Sequence, residues 1–166
     1  MAHRRILIDT DPGIDDSLAI LLALASPEVQ VEGISIVFGN CSSERGAENA
    51  LAVLELAKAS HIPVAVGCSR PLVQPLLLAP ETHGDTGIGY AQLPPAITKP
   101  ARLHAVDFII DSVLASPGEI TLVSIGPLTN LALAIRREPR LLDAIPEIIS
   151  QKYNNIRLMF YFFRST

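Results

Sequence analysis

Four aspartates lie within eight residues near the start of the chain. Asp9, Asp11, Asp15 and Asp16 surround a Pro-Gly turn that follows the apolar residues 6–8. Carboxylates this close repel each other and raise one another's pKa unless a cation or strong hydrogen-bond donors neutralise them. Hard oxygen ligands without a neighbouring Cys or His favour calcium or magnesium over zinc or copper. The cluster therefore predicts a divalent-cation site.

A solvated acidic cap on a helix is the plainest alternative, and it accounts for part of the cluster. Asp15 and Asp16 fall in the first turn of a predicted helix, where the helix dipole and free N–H groups stabilise negative charge. Asp9 and Asp11 are not explained in this way, because a buried strand delivers them to the same point. An EF-hand is excluded, since isoleucines occupy the positions of its glycine and its bidentate glutamate.

The elements that position these aspartates alternate between strand and helix patterns. Aliphatic and β-branched runs predict strands over residues 6–8, 31–37, 63–67, 120–125 and 145–150. Helical spacing predicts helices over residues 18–24, 42–60, 103–115 and 130–136. This alternation predicts an α/β fold with a mostly parallel, Rossmann-like sheet that is flanked by helices.

Further polar residues follow the predicted strands at their carboxyl ends, where ligands bind in such sheets. Asp11 follows the first strand, Asn40 the second and Thr129 the fourth. His83 lies after the third strand, in residues 68–99, which we interpret as a long loop that serves as a lid or binding loop. A plain series of turns is the alternative for the glycines around His83. We expect these polar residues to meet at one rim of the sheet.

Bulk composition limits the classes of partner. The chain has 166 residues, of which 49% are hydrophobic, enough for one domain with a full core. Its net charge is −4 and its basic clusters are only pairs, so no nucleic-acid partner is predicted. No run approaches the ~18 apolar residues of a membrane span, and no signal-peptide core is present, which predicts a cytoplasmic protein without membrane contact. We expect Cys41 and Cys68 to be reduced packing residues.

The motifs together resemble those of the inosine-uridine preferring nucleoside hydrolase family. The resemblance rests on residues 9–16, on the Val-Phe-Gly-Asn run that ends at Asn40, on His83-Gly84 with Gly87, and on residues 126–130. It spans about residues 4–150. It implies calcium-dependent hydrolysis of the N-glycosidic bond of ribonucleosides to free base and ribose, in purine or pyrimidine salvage. It also implies a homo-oligomer, either a dimer or a tetramer.

The resemblance implies a metal-binding role for one group of residues. Asp11 would ligate calcium and take the proton from the attacking water, while Asp16 would be a bidentate calcium ligand. Thr129 would offer the metal its main-chain carbonyl, and Asp9 would lie behind these ligands. Bound calcium lowers the pKa of a water molecule and holds the ribose diol, which agrees with these roles.

A second group would contact the substrate. Asp15 would accept hydrogen bonds from the ribose hydroxyls, and Asn40 would help to hold the attacking water. His83 would lie in the mobile loop that closes over the nucleobase. The transition state is oxocarbenium-like, and nearby carboxylates would stabilise the positive sugar. The residues that choose between purine and pyrimidine are not among these motifs.

The last 16 residues depart from the family pattern. They hold five of the chain's eight aromatic residues and no Ala, Gly, Pro, Asp or Glu. The family would continue here towards further ribose ligands, a calcium carboxylate and a general acid. We therefore expect a hydrolase-like domain over residues 1–150 and a non-matching tail over 151–166, from a frameshifted, alternatively ended or truncated product with impaired activity. The aromatic run 158–163 would aggregate if exposed, so we expect it to pair with the sheet or with another chain.

Two other functions remain as alternatives. A haloacid-dehalogenase-like phosphatase would use Asp9 as nucleophile, Asp11 as acid and Ser124 to bind phosphate. Pro12-Gly13 and the lack of a downstream Lys and Asp-Asp pair argue against it. A half-length relative that binds nucleoside or calcium without turnover is the non-enzymatic alternative.

Overall fold

The structure, a computed structural model, describes residues 3–154 and 157–164. Within these ranges the strands are β1 (Arg4–Thr10), β2 (Val29–Ile36), β3 (Val64–Val66), β4 (Ile120–Ser124), β5 (Glu147–Asn154) and β6 (Arg157–Arg164). The helices are α1 (Ile14–Ala25), α2 (Ser43–Leu56), α3 (Pro80–His83), α4 (Ala105–Ala115), α5 (Thr129–Arg137) and α6 (Leu141–Ala144).

β1 lies inside a six-stranded sheet with the order β3-β2-β1-β4-β5-β6. It pairs in parallel with β2 and β4, and β3 and β5 extend the parallel pairing on either side. The predicted α/β fold with a mostly parallel sheet is therefore confirmed. The strand order reverses between β1 and β4, so the carboxyl ends of these two strands form the crevice where such sheets bind ligands.

Two apolar layers hold helices against opposite faces of the sheet. Ile34 and Ile36 of β2 pack with Ile20 of α1 and with the apolar face of α2. Leu7 of β1 and Leu122 of β4 pack with α4 and α5 on the other face. Burial of one such side chain contributes about 1.5–3 kcal/mol. Because helices cover both faces, the strands are continuous aliphatic runs rather than alternating ones.

The ends of α2 show what the sequence could and could not predict. Ser42 caps the start of the helix, since its side chain accepts a hydrogen bond from the Arg45 N–H at 3.2 Å. The helix ends at Leu56, earlier than the predicted end near Ser60. The cause is Lys58, whose φ of 58° is left-handed and turns the chain away. Glycine is the usual residue at such a helix end, so a lysine at this position did not indicate that the helix would end here.

Two short helices were not predicted. α3 lies inside the expected loop over residues 68–99, and α6 lies directly before β5. Each has four residues, which is too few for a periodic pattern.

β6 is antiparallel to β5, which confirms that the aromatic run pairs with the sheet or with another chain. In the described part of the chain, no helix has both the length and the apolar character needed to cross a bilayer.

Candidate functional site

The acidic turn (residues 10–16) runs from the end of β1 into the first turn of α1. Two of its residues, Asp11 and Asp16, meet a third predicted site residue, Asn40. Asn40, which follows β2, donates its backbone N–H to Oδ2 of Asp11 at 2.8 Å. Its side-chain Nδ2 donates to Oδ2 of Asp16 at 2.7 Å. All three residues are buried. The predicted convergence of Asp11, Asp16 and Asn40 at one rim of the sheet is therefore observed.

The carboxylate of Asp11 occupies a slot between two glycines. A Cβ atom at Gly39 would lie 1.9 Å from Oδ2, and one at Gly126 would lie 2.8 Å from Oδ1. Oδ1 is buried and has no hydrogen-bond partner among the described residues. Burial, and then the charge of Asp16, raise the pKa of Asp11 to about 8. Without a cation, the ionised form of Asp11 is therefore unfavourable near neutral pH.

Asp16 is held more completely than Asp11. Its Oδ1 accepts a hydrogen bond from Thr10 Oγ1 at 2.6 Å, and its Oδ2 also accepts one from the Gly13 N–H at 3.2 Å. The second bond satisfies one of the free N–H groups at the start of α1, which explains part of the acidic cluster as a helix cap. Burial nevertheless raises the pKa of Asp16 above its ordinary value.

Asp9 lies beneath the acidic turn with no exposed surface. Its carboxylate accepts hydrogen bonds from Ser35 Oγ at 2.6 Å, Ser124 Oγ at 3.3 Å and Asn130 Nδ2 at 2.9 Å. Burial raises the pKa of Asp9 to about 6, although these three donors oppose the shift. An enclosed carboxylate cannot reach a phosphate ester, so the geometry argues against Asp9 as a phosphatase nucleophile.

Asn130, the second residue of α5, is a residue that the sequence did not single out. Its Nδ2 donates to Asp9 and to the Ile36 carbonyl, both at 2.9 Å, and its Oδ1 accepts from the Cys68 N–H at 2.9 Å. One amide therefore joins β1, β2, the segment after β3 and α5. Its place in the Gly-Pro-Leu-Thr-Asn motif was visible, but its partners depend on which strands are neighbours.

Thr129 precedes Asn130 and begins α5, half-buried at the rim. It lines a cavity of about 550 Å³ with His104, Leu133 and residues 67–74. No hydrogen bond among the described residues joins Thr129 to Asp11 or Asp16. A carbonyl and a carboxylate are both acceptors, so only a cation or a bridging donor could join them. The structure places Thr129 at the same rim without showing the contact.

His83 and Asp15 lie on the outer side of the acidic turn. His83 ends α3, is largely buried, and its Nδ1 accepts a hydrogen bond from the Ile14 N–H at 3.2 Å. Its Nδ1 also lies 4.0 Å from Oδ1 of Asp15, whose side chain is 61% exposed. The loop after β3 thus contacts the start of α1. Asp15 is the one aspartate of the cluster that faces solvent.

The donor atoms at this rim fit part of a metal shell. Asp11 and Asp16 supply two carboxylates, and the unpartnered Oδ1 of Asp11 is the kind of oxygen that a hard cation takes. Over residues 3–154 and 157–164, however, no three His, Cys, Asp or Glu side chains gather in a way that could hold a metal ion. The described side chains therefore provide one side of a coordination shell.

Comparison with known proteins gives the same family as the motifs. The family described as inosine-uridine preferring nucleoside hydrolase matches residues 6–150. The chain is 45% identical over 148 residues to an inosine-uridine preferring nucleoside hydrolase from Leishmania major, covering 88% of this chain and 47% of that protein. It is 43% identical over 148 residues to uridine nucleosidase 1 from Arabidopsis thaliana, covering 89% of this chain and 44% of that protein.

Solved structures agree with the sequence comparison. The purine-preferring ribonucleoside hydrolase from Gardnerella vaginalis superposes with a TM-score of 0.87 at 36% identity, covering 90% of this chain and 49% of that one. The chain therefore spans about half the length of the relatives it matches. The shared half contains the acidic turn and every residue of the rim described above.

Proposed function

The chain belongs to the inosine-uridine preferring nucleoside hydrolase family. From this premise we propose that its acidic rim, formed by Asp9, Asp11 and Asp16 with Asn40, is the water-activating side of a ribonucleoside hydrolase site. The observation that carries the proposal is the Asp11 carboxylate, buried beside Asp16 with one oxygen unpartnered among the described residues. Such a pair is costly unless a cation or substrate compensates its charge. The reaction would split the N-glycosidic bond into free base and ribose.

Asp11 and Asp16 would hold a divalent cation, with the main-chain carbonyl of Thr129 as a further donor. All three donors are hard oxygens, which favours calcium and makes magnesium the nearest competitor. When bound, the cation would lower the pKa of a water molecule and hold the ribose hydroxyls. Thr10 and Asn40 already fix the Asp16 carboxylate through hydrogen bonds, so the site is partly preorganised.

Asp11 would receive the proton of the attacking water. A general base works best when its pKa is near the working pH. Burial raises the pKa of Asp11 in the metal-free chain, and a bound cation would lower it again. Asn40 donates both its backbone and side-chain N–H groups to the two carboxylates, which leaves its side-chain carbonyl to accept from water. Asp9 would support this arrangement from below by fixing the end of β1.

Asp15 and His83 would meet the substrate from the outer side. The exposed carboxylate of Asp15 can accept hydrogen bonds from ribose hydroxyls without breaking a described contact. It can also stabilise positive charge that develops on the sugar. His83 lies next to Asp15, so the loop that carries it could cover the nucleobase.

The 166-residue chain alone would be a poor hydrolase, because the described rim supplies one side of the site. We also propose residues 1–150 as the hydrolase-like domain, distinct from the tail at 151–166, and a homo-oligomer, dimer or tetramer, as the working assembly. The base preference stays open, since the similar proteins are named for inosine and uridine, for uridine and for purines.

Calcium titration of chelator-treated protein by calorimetry tests the proposal. The parent chain should bind calcium, and Asp16→Ala should lose at least tenfold in affinity because a carboxylate ligand is removed. Asp111→Ala, an exposed aspartate on α4, is the matched control and should bind as the parent does. Circular dichroism would verify that the Asp16 variant is folded. Equal calcium affinity in Asp16→Ala and the parent would contradict the metal site.

A non-catalytic binding protein is the second candidate, and the limited donor set favours it. With two carboxylates at the rim of the described chain, calcium and nucleoside could bind weakly without turnover. Release of free base from inosine or uridine, followed by chromatography, separates the two functions. Binding of nucleoside without any free base would support the second.

A further inference from the structure

We propose that Asn49 is a positioning residue that fastens the glycine loop (residues 84–89) to the acidic turn. Asn49 lies in the second turn of α2 and is 5% exposed. It belongs to none of the motifs that mark the rim, and it touches no proposed metal ligand. The part of the proposal that concerns substrate rests on the proposed function, whereas the part that concerns the loop stands on the contacts below.

The amide of Asn49 joins two segments of main chain. Its Nδ2 donates to the Pro12 carbonyl of the acidic turn at 3.2 Å and to the Thr86 carbonyl of the glycine loop at 3.0 Å. Because one NH₂ group carries two hydrogens, both bonds can form at once. A single side-chain group therefore bridges the turn and the loop.

Apart from Ser43 in the first turn, the other buried residues of α2 are apolar or glycine, so a buried amide at position 49 needs an explanation. Ala47, Ala50, Leu51 and Leu54 are buried beside it in the core. A buried amide costs free energy unless its hydrogen bonds are made. The Asn49 amide makes them with two carbonyls and, at the longer distance of 4.0 Å, with the Cys41 sulfur. Its contacts thus define a connection between segments rather than general core packing.

The glycine loop is shaped to receive this contact. Gly87 has a φ of +82°, and a Cβ there would lie 2.9 Å from Asn49 Nδ2 and 3.0 Å from Cys41 Sγ. The Gly87 N–H bonds to the Gly84 carbonyl at 3.1 Å, and the Gly89 N–H bonds to the His83 carbonyl at 2.7 Å. The loop is therefore an internally bonded unit that presents its backbone closely to α2.

Two attachments connect this unit to the acidic turn among the described hydrogen bonds. One is the Ile14 N–H donating to His83, and the other is the amide of Asn49. A cavity of about 740 Å³, which Asn49 also lines, lies between α2 and residues 86–100. Without Asn49, the loop would depend on the His83 contact alone.

This arrangement gives Asn49 a defined effect on ligand binding. His83 directly precedes the glycine loop, and its position over Ile14 and Asp15 depends on where the loop is held. Asn49 should therefore change nucleoside affinity while calcium affinity stays constant, because no proposed calcium ligand contacts its amide. A residue that only stabilised the fold would lower both affinities together.

Amide hydrogen exchange of the full chain, followed by NMR or mass spectrometry, is the main test. Asn49→Leu removes both donors at similar volume, and Asn49→Asp keeps the shape but replaces the donors with acceptor oxygens. In both variants the Gly87 and Gly89 amides should exchange at least tenfold faster, with the Leu51 and Leu54 amides of α2 unchanged within twofold. Glu48→Gln, an exposed change on the same helix, is the control and should exchange as the parent does.

The outcomes are separable. Unchanged exchange at Gly87 and Gly89, or an equal acceleration over α2 and the sheet, would overturn the proposal. Titration with inosine and with calcium adds the ligand readout: weaker inosine binding with unchanged calcium binding supports the positioning role, and a parallel loss of both contradicts it. If the parent chain binds neither probe, the proposed function fails while the exchange result still decides the role of Asn49.

Discussion

The Asp11 carboxylate combines burial, a charged neighbour and an unpartnered oxygen in one residue. These features oppose ionisation. Near neutral pH Asp11 therefore keeps its proton in the folded chain and loses it in the unfolded chain. Asp9 and Asp16 shift in the same direction, because each is also buried. The acidic rim therefore makes the free energy of unfolding lower at neutral pH than at acid pH, as expected for buried carboxylates whose charge no cation compensates.

A pH dependence of stability follows. The pKa of Asp11 is raised from about 3.8 to about 8, and that of Asp9 to about 6. Their stabilising effect is fully present below the unfolded pKa values and is lost as the pH rises through the folded ones. In chelator, the urea midpoint should therefore fall between pH 5 and pH 8.5. Asp11→Asn should flatten most of this decline, and an equally steep decline in that variant would show that Asp11 is not its source.

Gly126 offers a substitution that acts on Asp11 without touching its chemistry. In Gly126→Ala the added methyl would lie 2.8 Å from both Oδ1 of Asp11 and Cγ1 of Val37. We expect calcium affinity, measured by calorimetry, to fall at least tenfold because the carboxylate must move. The double variant Gly126→Ala/Val37→Ala makes room beside the valine alone and should remain defective. Recovery of parental affinity in the double variant would assign the effect to core packing instead.

The site residues that the sequence revealed differ from those that it did not in the kind of contact they make. Asp11, Asp16 and Asn40 stand in motifs at strand ends, so parallel topology alone brings them together. Asn49 and Asn130 act through main-chain carbonyls and amides of distant segments. Nearly every residue type carries a backbone N–H and a carbonyl, so a side chain that bonds to backbone cannot be recognised from the residue type of its partner. Such roles become visible only when the segments are placed in space.

At the level of elements, Asn130 is the connection that holds the strand ends in register around the site. It joins β1, β2 and the segment after β3 to the start of α5. The strands were predictable from their aliphatic runs, whereas their order in the sheet was not predicted. The short elements α3 and α6, and the end of α2 at Lys58, were not predictable because their signals are local and weak.

Loss of the Asn130 amide should therefore destabilise the sheet. Asn130→Ala leaves the Cys68 N–H and the Ile36 carbonyl without this partner, and an unsatisfied buried group costs about 1–3 kcal/mol. We expect urea unfolding to show a loss on the order of 3 kcal/mol. Ser124→Ala, which removes a longer bond of 3.3 Å to the same Asp9 carboxylate, is the comparison and should cost less. Equal losses in the two variants would show that Asn130 acts through Asp9 alone.

At the level of the whole molecule, the sheet and its helices form a core that carries one side of the proposed ribonucleoside site. Residues 6–150 match the family, and the matched region is about half of each relative. Sequence motifs identified this region well, because acidic and glycine-rich turns are constrained residue by residue. The motifs did not indicate the base preference, which depends on side chains that none of them contains.

A chimaera tests how much of the activity the described half can supply. Residues after Ser150 would be replaced by the corresponding remainder of the Leishmania major relative, and hydrolysis of inosine and uridine would be assayed with calcium. The chimaera should turn over at least ~10²-fold faster than the 166-residue chain, since a general acid alone contributes about 10²–10⁴. Comparable rates would show that the residues described here suffice for catalysis. Asp11→Asn in the chimaera provides the inactive reference.

The hydrogen bond between Asp9 and Asn130 spans 121 positions of the chain, and the one between Asp9 and Ser124 spans 115. During synthesis, β1 leaves the ribosome long before the residues that enclose its carboxylate exist. Until then Asp9 must stay hydrated, and the central strand of the sheet can pair only with β2. Contacts of such long sequence separation are slow to form, because loop-closure entropy is lost before they are made. The nascent chain can therefore enclose Asp9 only late, after β4 has paired with β1 and α5 has packed against both strands.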